Sequence, residues 1–351
     1  MESIKEEKLR GGIRSSNIEL FRILSMLIIV AHHYVVNSGL WACIDSQPNL
    51  HFRDYFLLIF GWGGKTGINC FVLITGYFMC ASNITKKKFC KLVEEVYFYN
   101  IIIWCLFFAI GYERFSVKGL LKVLFPFFTV ADNFTSCFLL FYLLIPFINK
   151  LIHVLTEKEH YLLMVWCFGV YVVLPSFAKA NVIFNYVTWF VILFVIAAYM
   201  RFYPKKWFSS LKITGIMAVV SLTLSWASVV VMAMISRMTG KTIWLAYFFV
   251  SDSNKVLALT TAISAFLFFK NLKLEYNNVI NTVAASTFGV LLIHANSDTM
   301  RRWLWQDVGN NVAVYESGNI IGHAIICVLL IYTICTIIDI VRVKLFCFVQ
   351  R

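Results

Sequence analysis

Residues 17–34 read Asn17-Ile-Glu-Leu-Phe-Arg22-Ile-Leu-Ser-Met-Leu-Ile-Ile-Val-Ala-His32-His33-Tyr34. Continued to residue 40, this run is long enough to cross a bilayer, which takes about 20 residues of helix. It nevertheless carries Glu19, Arg22, His32 and His33. Charged and titratable groups are costly inside a span, so they face protein or water and mark function. Arg22 and His33 are eleven residues apart. At about 100° per residue that is three turns plus about 20°, which puts both on one face, about 16 Å apart along the axis. Glu19 stands three residues before Arg22, within pairing reach, and Asn37 one turn beyond His33, where it would orient the ring. Each residue alone has a plainer reading. Ser16-x-x-Glu19 also fits a capping box, Arg22 also suits a snorkelling side chain, and His33 also suits a satisfied interior histidine. Arg and His together on one face of one span favour function.

Working outward, the whole chain has the same character. Of its 351 residues, 60% are hydrophobic and 14% charged, against about 25% charged in an ordinary soluble domain. A soluble protein has no place to hide that much apolar surface. Ten spans are expected, roughly 18–40, 55–80, 94–112, 136–153, 160–176, 185–203, 211–236, 255–270, 282–297 and 318–341. They form an all-α polytopic bundle, because each backbone polar group in lipid must be satisfied within its own segment. The alternating strands of a barrel are absent from the sequence. The net charge of +13 is read as membrane orientation and not as nucleic-acid binding. Of the 31 Lys and Arg, 19 fall in one set of alternate loops, which includes both ends, and 10 in the other; Arg22 and Lys65 lie within spans. Both termini are therefore expected in the cytoplasm. The domain plan is a cytoplasmic segment 1–17, a membrane domain 18–341 and a cytoplasmic tail 342–351. The first run lacks a small-residue cleavage site and is expected to stay as a permanent span. Ten Cys show no C-x-x-C pair; Cys43 and Cys137 are the two that could meet outside in a disulfide.

The second span contains Gly61-Trp-Gly-Gly-Lys65-Thr66-Gly67-Ile-Asn69-Cys-Phe71-Val-Leu-Ile-Thr75-Gly76-Tyr77-Phe78. A phosphate loop is excluded, because the first glycine of G-x-x-x-x-G-K-[ST] would fall at Ile59. The spaced glycines instead permit close helix approach. The ninth span reads Thr287-Phe-Gly289-Val-Leu-Leu-Ile-His294-Ala-Asn296, followed by Asp298, Arg301, Arg302, Trp303 and Trp305. His294 is a second intramembrane histidine. The tryptophans suit an interfacial belt or a stacking platform for a sugar. No zinc signature, nucleophile elbow or dinucleotide fingerprint occurs in the sequence, and no metal is expected.

Taken together, these segments resemble the acyltransferase 3 family of membrane-bound O-acyltransferases. The resemblance rests on Leu-Phe-Arg22 with His33 after ten intervening residues, and on Gly67-Ile-Asn69-Cys-Phe71-Val-Leu-Ile-Thr75-Gly76-Tyr77. It continues through Phe138-Leu-Leu-Phe-Tyr142-Leu-Leu-Ile-Pro146-Phe-Ile-Asn149 and Phe288-Gly289-Val-Leu-Leu-Ile-His294. The chain departs from the family pattern in places: Asn69 stands where many members carry Asp, Lys88-x-x-Lys91 where many carry Arg-x-x-Arg, and the aromatic pair that usually opens the fourth span is missing around Ser136 and Cys137. Lys is a point charge without the bidentate fork of Arg. The resemblance implies transfer of an acetyl group from cytoplasmic acetyl-coenzyme A, a co-substrate and not a resident cofactor. The acceptor it implies is a hydroxyl of a surface polysaccharide or its lipid-linked precursor, at the bacterial inner membrane. His33 is then expected as general base, with Arg22, Glu19 and His294 in the catalytic group. The donor would be held by Arg22, Lys86, Lys87, Lys88 and Lys91, and the acceptor by Asn37, Asn69, Arg301, Arg302 and Trp303. A transporter or flippase of a lipid-linked glycan or charged solute is the alternative, with the same Arg, Glu and His lining a path.

Overall fold

Long apolar runs fold as helices for the reason given above, and the computed structural model shows them in every expected place. It describes residues 15–129, 134–178, 182 and 184–349; most of the expected segment 1–17 lies outside these. The main helices are α1 (Ser16–Val36), α2 (Phe52–Met79), α3 (Lys86–Ala109), α4 (Phe134–Val154), α5 (Glu157–Phe177), α6 (Tyr186–Phe202), α7 (Leu211–Thr239), α8 (Val256–Asn271), α9 (Asn278–His294) and α10 (Ile320–Val349). No strand occurs among the described residues.

Seven of these, α1 to α5, α7 and α10, are long and apolar enough to cross a membrane. The expected count of ten is reached only by adding three that differ. Helix α9 continues after a 93° bend into the segment Asp298–Ser317, and α6 and α8 have 17 and 16 residues. Both short helices are central. Trp189, Phe190, Leu193, Phe194 and Ala197 of α6, and Leu259, Ala262, Phe266 and Leu267 of α8, are buried. A helix apolar on every side suits an interior, where neighbouring protein and not lipid sets its length. Helices α3, α5 and α7 instead leave large apolar residues such as Leu106, Trp166 and Val219 exposed, the mark of a lipid-facing surface.

The α1–α2 contact places the site. A Cβ on Gly64 would lie 2.2 Å from His32 Cγ, and one on Gly67 would lie 2.8 Å from the Ser25 carbonyl oxygen. Only glycine fits at either position, so the two helices meet backbone to side chain, as the sequence spacing led us to expect. Three details differ from expectation. Cys43 and Cys137 are both free, and Cys137 is buried within α4. Helix α10 runs through the expected tail to Val349. Lys86 to Lys91 are not loop residues but open α3.

Candidate functional site

Near the far end of α1, the His33 ring meets the His294 ring, the last residue of α9. His33 Nδ1 lies 3.0 Å from His294 Nε2, and His294 Nδ1 lies 2.6 Å from the Val290 carbonyl oxygen. A carbonyl only accepts, so His294 Nδ1 carries the proton. A neutral imidazole has one N–H, so His294 Nε2 is a lone pair and His33 Nδ1–H donates to it. The chain of bonds leaves Nε2 of His33 as a bare acceptor. His294 is fully buried, while His33 is half-buried and accessible. A buried orienting group behind an accessible base is the arrangement a general base needs. The expected orienter of His33, Asn37, plays no such part: Asn37 donates its backbone N–H to the His33 carbonyl (3.0 Å), and its own carbonyl accepts from Gln306 Nε2 (3.2 Å).

His32 points elsewhere. Its Nδ1–H donates to the Gly61 carbonyl (2.6 Å), and its ring fills the space that Gly64 leaves. It holds α1 against α2.

At the other end of the same face, Arg22 Nε lies 3.5 Å from Glu19 Oε2, and the guanidinium sits 5.6 Å from the Phe71 ring centroid. The capping-box reading of Glu19 fails. Ser15 is the N-cap residue, and the Ser16 hydroxyl donates to Asn281 Oδ1 (3.2 Å). Glu19 is thus the partner of Arg22, as its spacing implied.

The remaining expected residues scatter. Lys86, Lys87, Lys88 and Lys91 are exposed on the first turns of α3. Asn69 is buried with both ends of its amide occupied: Nδ2 donates to the Ser253 carbonyl (2.7 Å), and Oδ1 accepts from Trp189 Nε1 (2.8 Å). It ties α2 to α6 and to the loop before α8. Arg301 pairs with Asp298 (2.9 Å) and Arg302 Nε donates to the Tyr112 hydroxyl (3.4 Å). Trp303 packs edge-on against Phe107 (5.7 Å). Trp305, expected at an interface or under a sugar, is fully buried against Tyr34.

Sequence reasoning missed a buried polar cluster joining α3, α9 and α10. Asp339 Oδ1 accepts from the Tyr99 hydroxyl (2.8 Å) and from Arg342 Nε (2.9 Å). Arg342 Nη2 also reaches Asp339 Oδ1 (2.8 Å) and Glu95 Oε1 (2.9 Å). The Asp339 side chain is 0% exposed and that of Arg342 7%. A Cβ on Gly289 would lie 2.2 Å from Asp339 Oδ1, so the carboxylate rests on the α9 backbone. Arg342 had been counted as a loop charge. The available signal was Asp339-x-x-Arg342, a pair at helical spacing inside an apolar run.

With this geometry in view, comparison with known protein families shows that residues 15–340 fit the model of the acyltransferase 3 family, described as an acyltransferase domain. No curated protein and no solved structure matches the chain.

Proposed function

This multi-pass membrane protein belongs to the acyltransferase 3 family, and on that premise we propose that the His33–His294 pair transfers an acetyl group from cytoplasmic acetyl-coenzyme A to a sugar hydroxyl. The acceptor is a cell-surface polysaccharide or its lipid-linked precursor, and the membrane is the bacterial inner membrane. The observation that carries this reading is the bare Nε2 of His33, fixed by the bond to His294 and from there to Val290. In the reaction, Nε2 takes the proton of the acceptor hydroxyl as its oxygen attacks the thioester carbonyl. The tetrahedral intermediate collapses with cleavage of the carbon–sulfur bond, and the departing thiolate takes the proton back from Nε2. The products are an O-acetyl ester and free coenzyme A. Arg22, charged at all pH values of interest and shaped for phosphate, faces the donor, with Glu19 holding it in place. Arg301, Arg302, Trp303 and Asn37 flank the histidine end, where the acceptor enters.

The test uses the purified protein with acetyl-labelled coenzyme A and a lipid-linked glycan. Label should appear covalently on the glycan. Movement of unmodified glycan across the bilayer with no label attached would make the protein a transporter and reject this reading.

Orientation is tested separately. With both termini in the cytoplasm, a cysteine placed at Arg301 should react with an impermeant thiol reagent added outside intact cells, and one placed at Lys87 should not. The reverse pattern inverts the arrangement.

A further inference from the structure

Cations fall in a line along α2. Arg22 sits over Phe71. Further along, the Arg201 guanidinium of α6 lies 4.7 Å from the Tyr77 ring centroid and 5.9 Å from that of Phe78. Where α2 ends, a cleft of about 490 Å³ opens between loop 80–84 and one face of α4, lined by Ser82, Asn83, Asn149, Lys150 and His153 among others. That volume falls within the roughly 300–1,000 Å³ of small-molecule sites. The wall of the cleft is held in place. Asn149 Nδ2 donates to the carbonyls of Met79 (3.0 Å) and Ser82 (3.5 Å), which pins the loop to α4. His153 Nδ1 donates to the Asn149 carbonyl (2.7 Å), which fixes the ring at the wall of the cleft. The same ring packs edge-on against Phe202 (5.0 Å), the neighbour of Arg201. Lys150 is exposed and has no acidic partner among the described residues.

The distance along the bundle constrains the ligand. Gly64 lies level with His32, and Cys80, on the cleft, is 16 residues further along the chain. At about 1.5 Å per residue, the cleft is about 24 Å from the level of the histidine pair. A ligand that engages both must be anionic at one end and reactive at the other, with a long neutral arm between them.

We propose that this cleft seats the phosphate-bearing nucleotide end of the acyl donor. Lys150 is its anion-binding side chain, and Arg201 is the next cation on the way to Arg22. Lys is an effective phosphate binder as a point charge, and Lys150, unlike Lys88 and Lys91, lines the cleft. This inference rests on the acetyl-coenzyme A reading above, and its test separates the two.

The full-length protein is assayed in nanodiscs with two donors, acetyl-coenzyme A and acetyl-pantetheine, which lacks the nucleotide. Lys150→Glu should raise KM for acetyl-coenzyme A about tenfold or more, the loss of one charge-assisted contact, and Lys150→Gln less. Neither should change KM for acetyl-pantetheine. Calorimetry should show adenosine 3′,5′-bisphosphate binding to the wild type and not to Lys150→Glu. An equal loss with both donors, or unaltered bisphosphate binding by Lys150→Glu, overturns the proposal. Bisphosphate binding that vanishes when the nanodisc contains anionic lipid would make the cleft a headgroup site and overturn it as well. A protein that binds the bisphosphate through Lys150 yet never turns over acetyl-coenzyme A keeps the nucleotide cleft and refutes the donor assigned above.

Discussion

His33→Ala lowers acyl transfer about 10²- to 10⁴-fold, the contribution of a positioned general base, while the protein still inserts and accumulates. His33 is half-buried, so truncation leaves no large void. His294→Ala removes the acceptor for His33 Nδ1–H together with a fully buried ring. The base survives but samples the wrong tautomer, and activity falls by less. His32→Ala acts differently, because it loosens the α1–α2 contact at Gly61 and Gly64. Its loss should appear in thermal stability before it appears in rate. Measuring acetylated glycan and membrane abundance for all three variants sorts these roles. Full activity in His33→Ala would remove the histidine pair from the mechanism.

Arg342→Ala should be the most damaging change to stability. It strips the cation from the fully buried Asp339 carboxylate and from Glu95, whose side chain is 14% exposed. Breaking a buried ion pair by removing one partner costs about 3–5 kcal/mol, because a charge is left uncompensated. The measurement is the midpoint of thermal inactivation in detergent. Adding Glu95→Gln and Asp339→Asn to Arg342→Ala should recover part of the loss, since no charge then remains buried alone. A midpoint unchanged from wild type in Arg342→Ala would show that the cluster contributes nothing to stability.

Much of the site was legible in one helix. The spacing of Glu19, Arg22 and His33 follows from helical geometry alone, and the Glu19–Arg22 pair forms as that spacing implies. The sequence singles out His294 as a second candidate, to orient the acceptor or the base, but does not show that its ring meets His33. The two histidines are 261 positions apart, and no local pattern states which two helices touch. Asn37 was the better local candidate to orient the ring and lost to a distant one. The buried cluster was hidden for a related reason. Arg342 lies near a helix end, where a lone Arg is ordinarily an orientation charge, and only the packing of three helices buries it. Asn69 shows what packing adds to a sequence reading. A polar residue within a span reads as functional, but here the amide is spent on the Ser253 carbonyl and the Trp189 indole. Helix number was legible as apolar runs. Which runs are long enough to cross was not, because α6 and α8 lie among other helices and not in lipid.

The contact of Asp339 with the backbone at Gly289 has an evolutionary consequence. Any side chain at 289 would collide with the carboxylate at 339, and losing that carboxylate would take the acceptor from the Tyr99 hydroxyl and leave Arg342 with Glu95 alone. The two positions, fifty residues apart in sequence, therefore behave as one inherited character. Among descendants of this chain, a lineage that fills position 289 must already have shortened position 339. The opposite order is closed to it, because a methyl group at 289 finds room only once 339 is vacated.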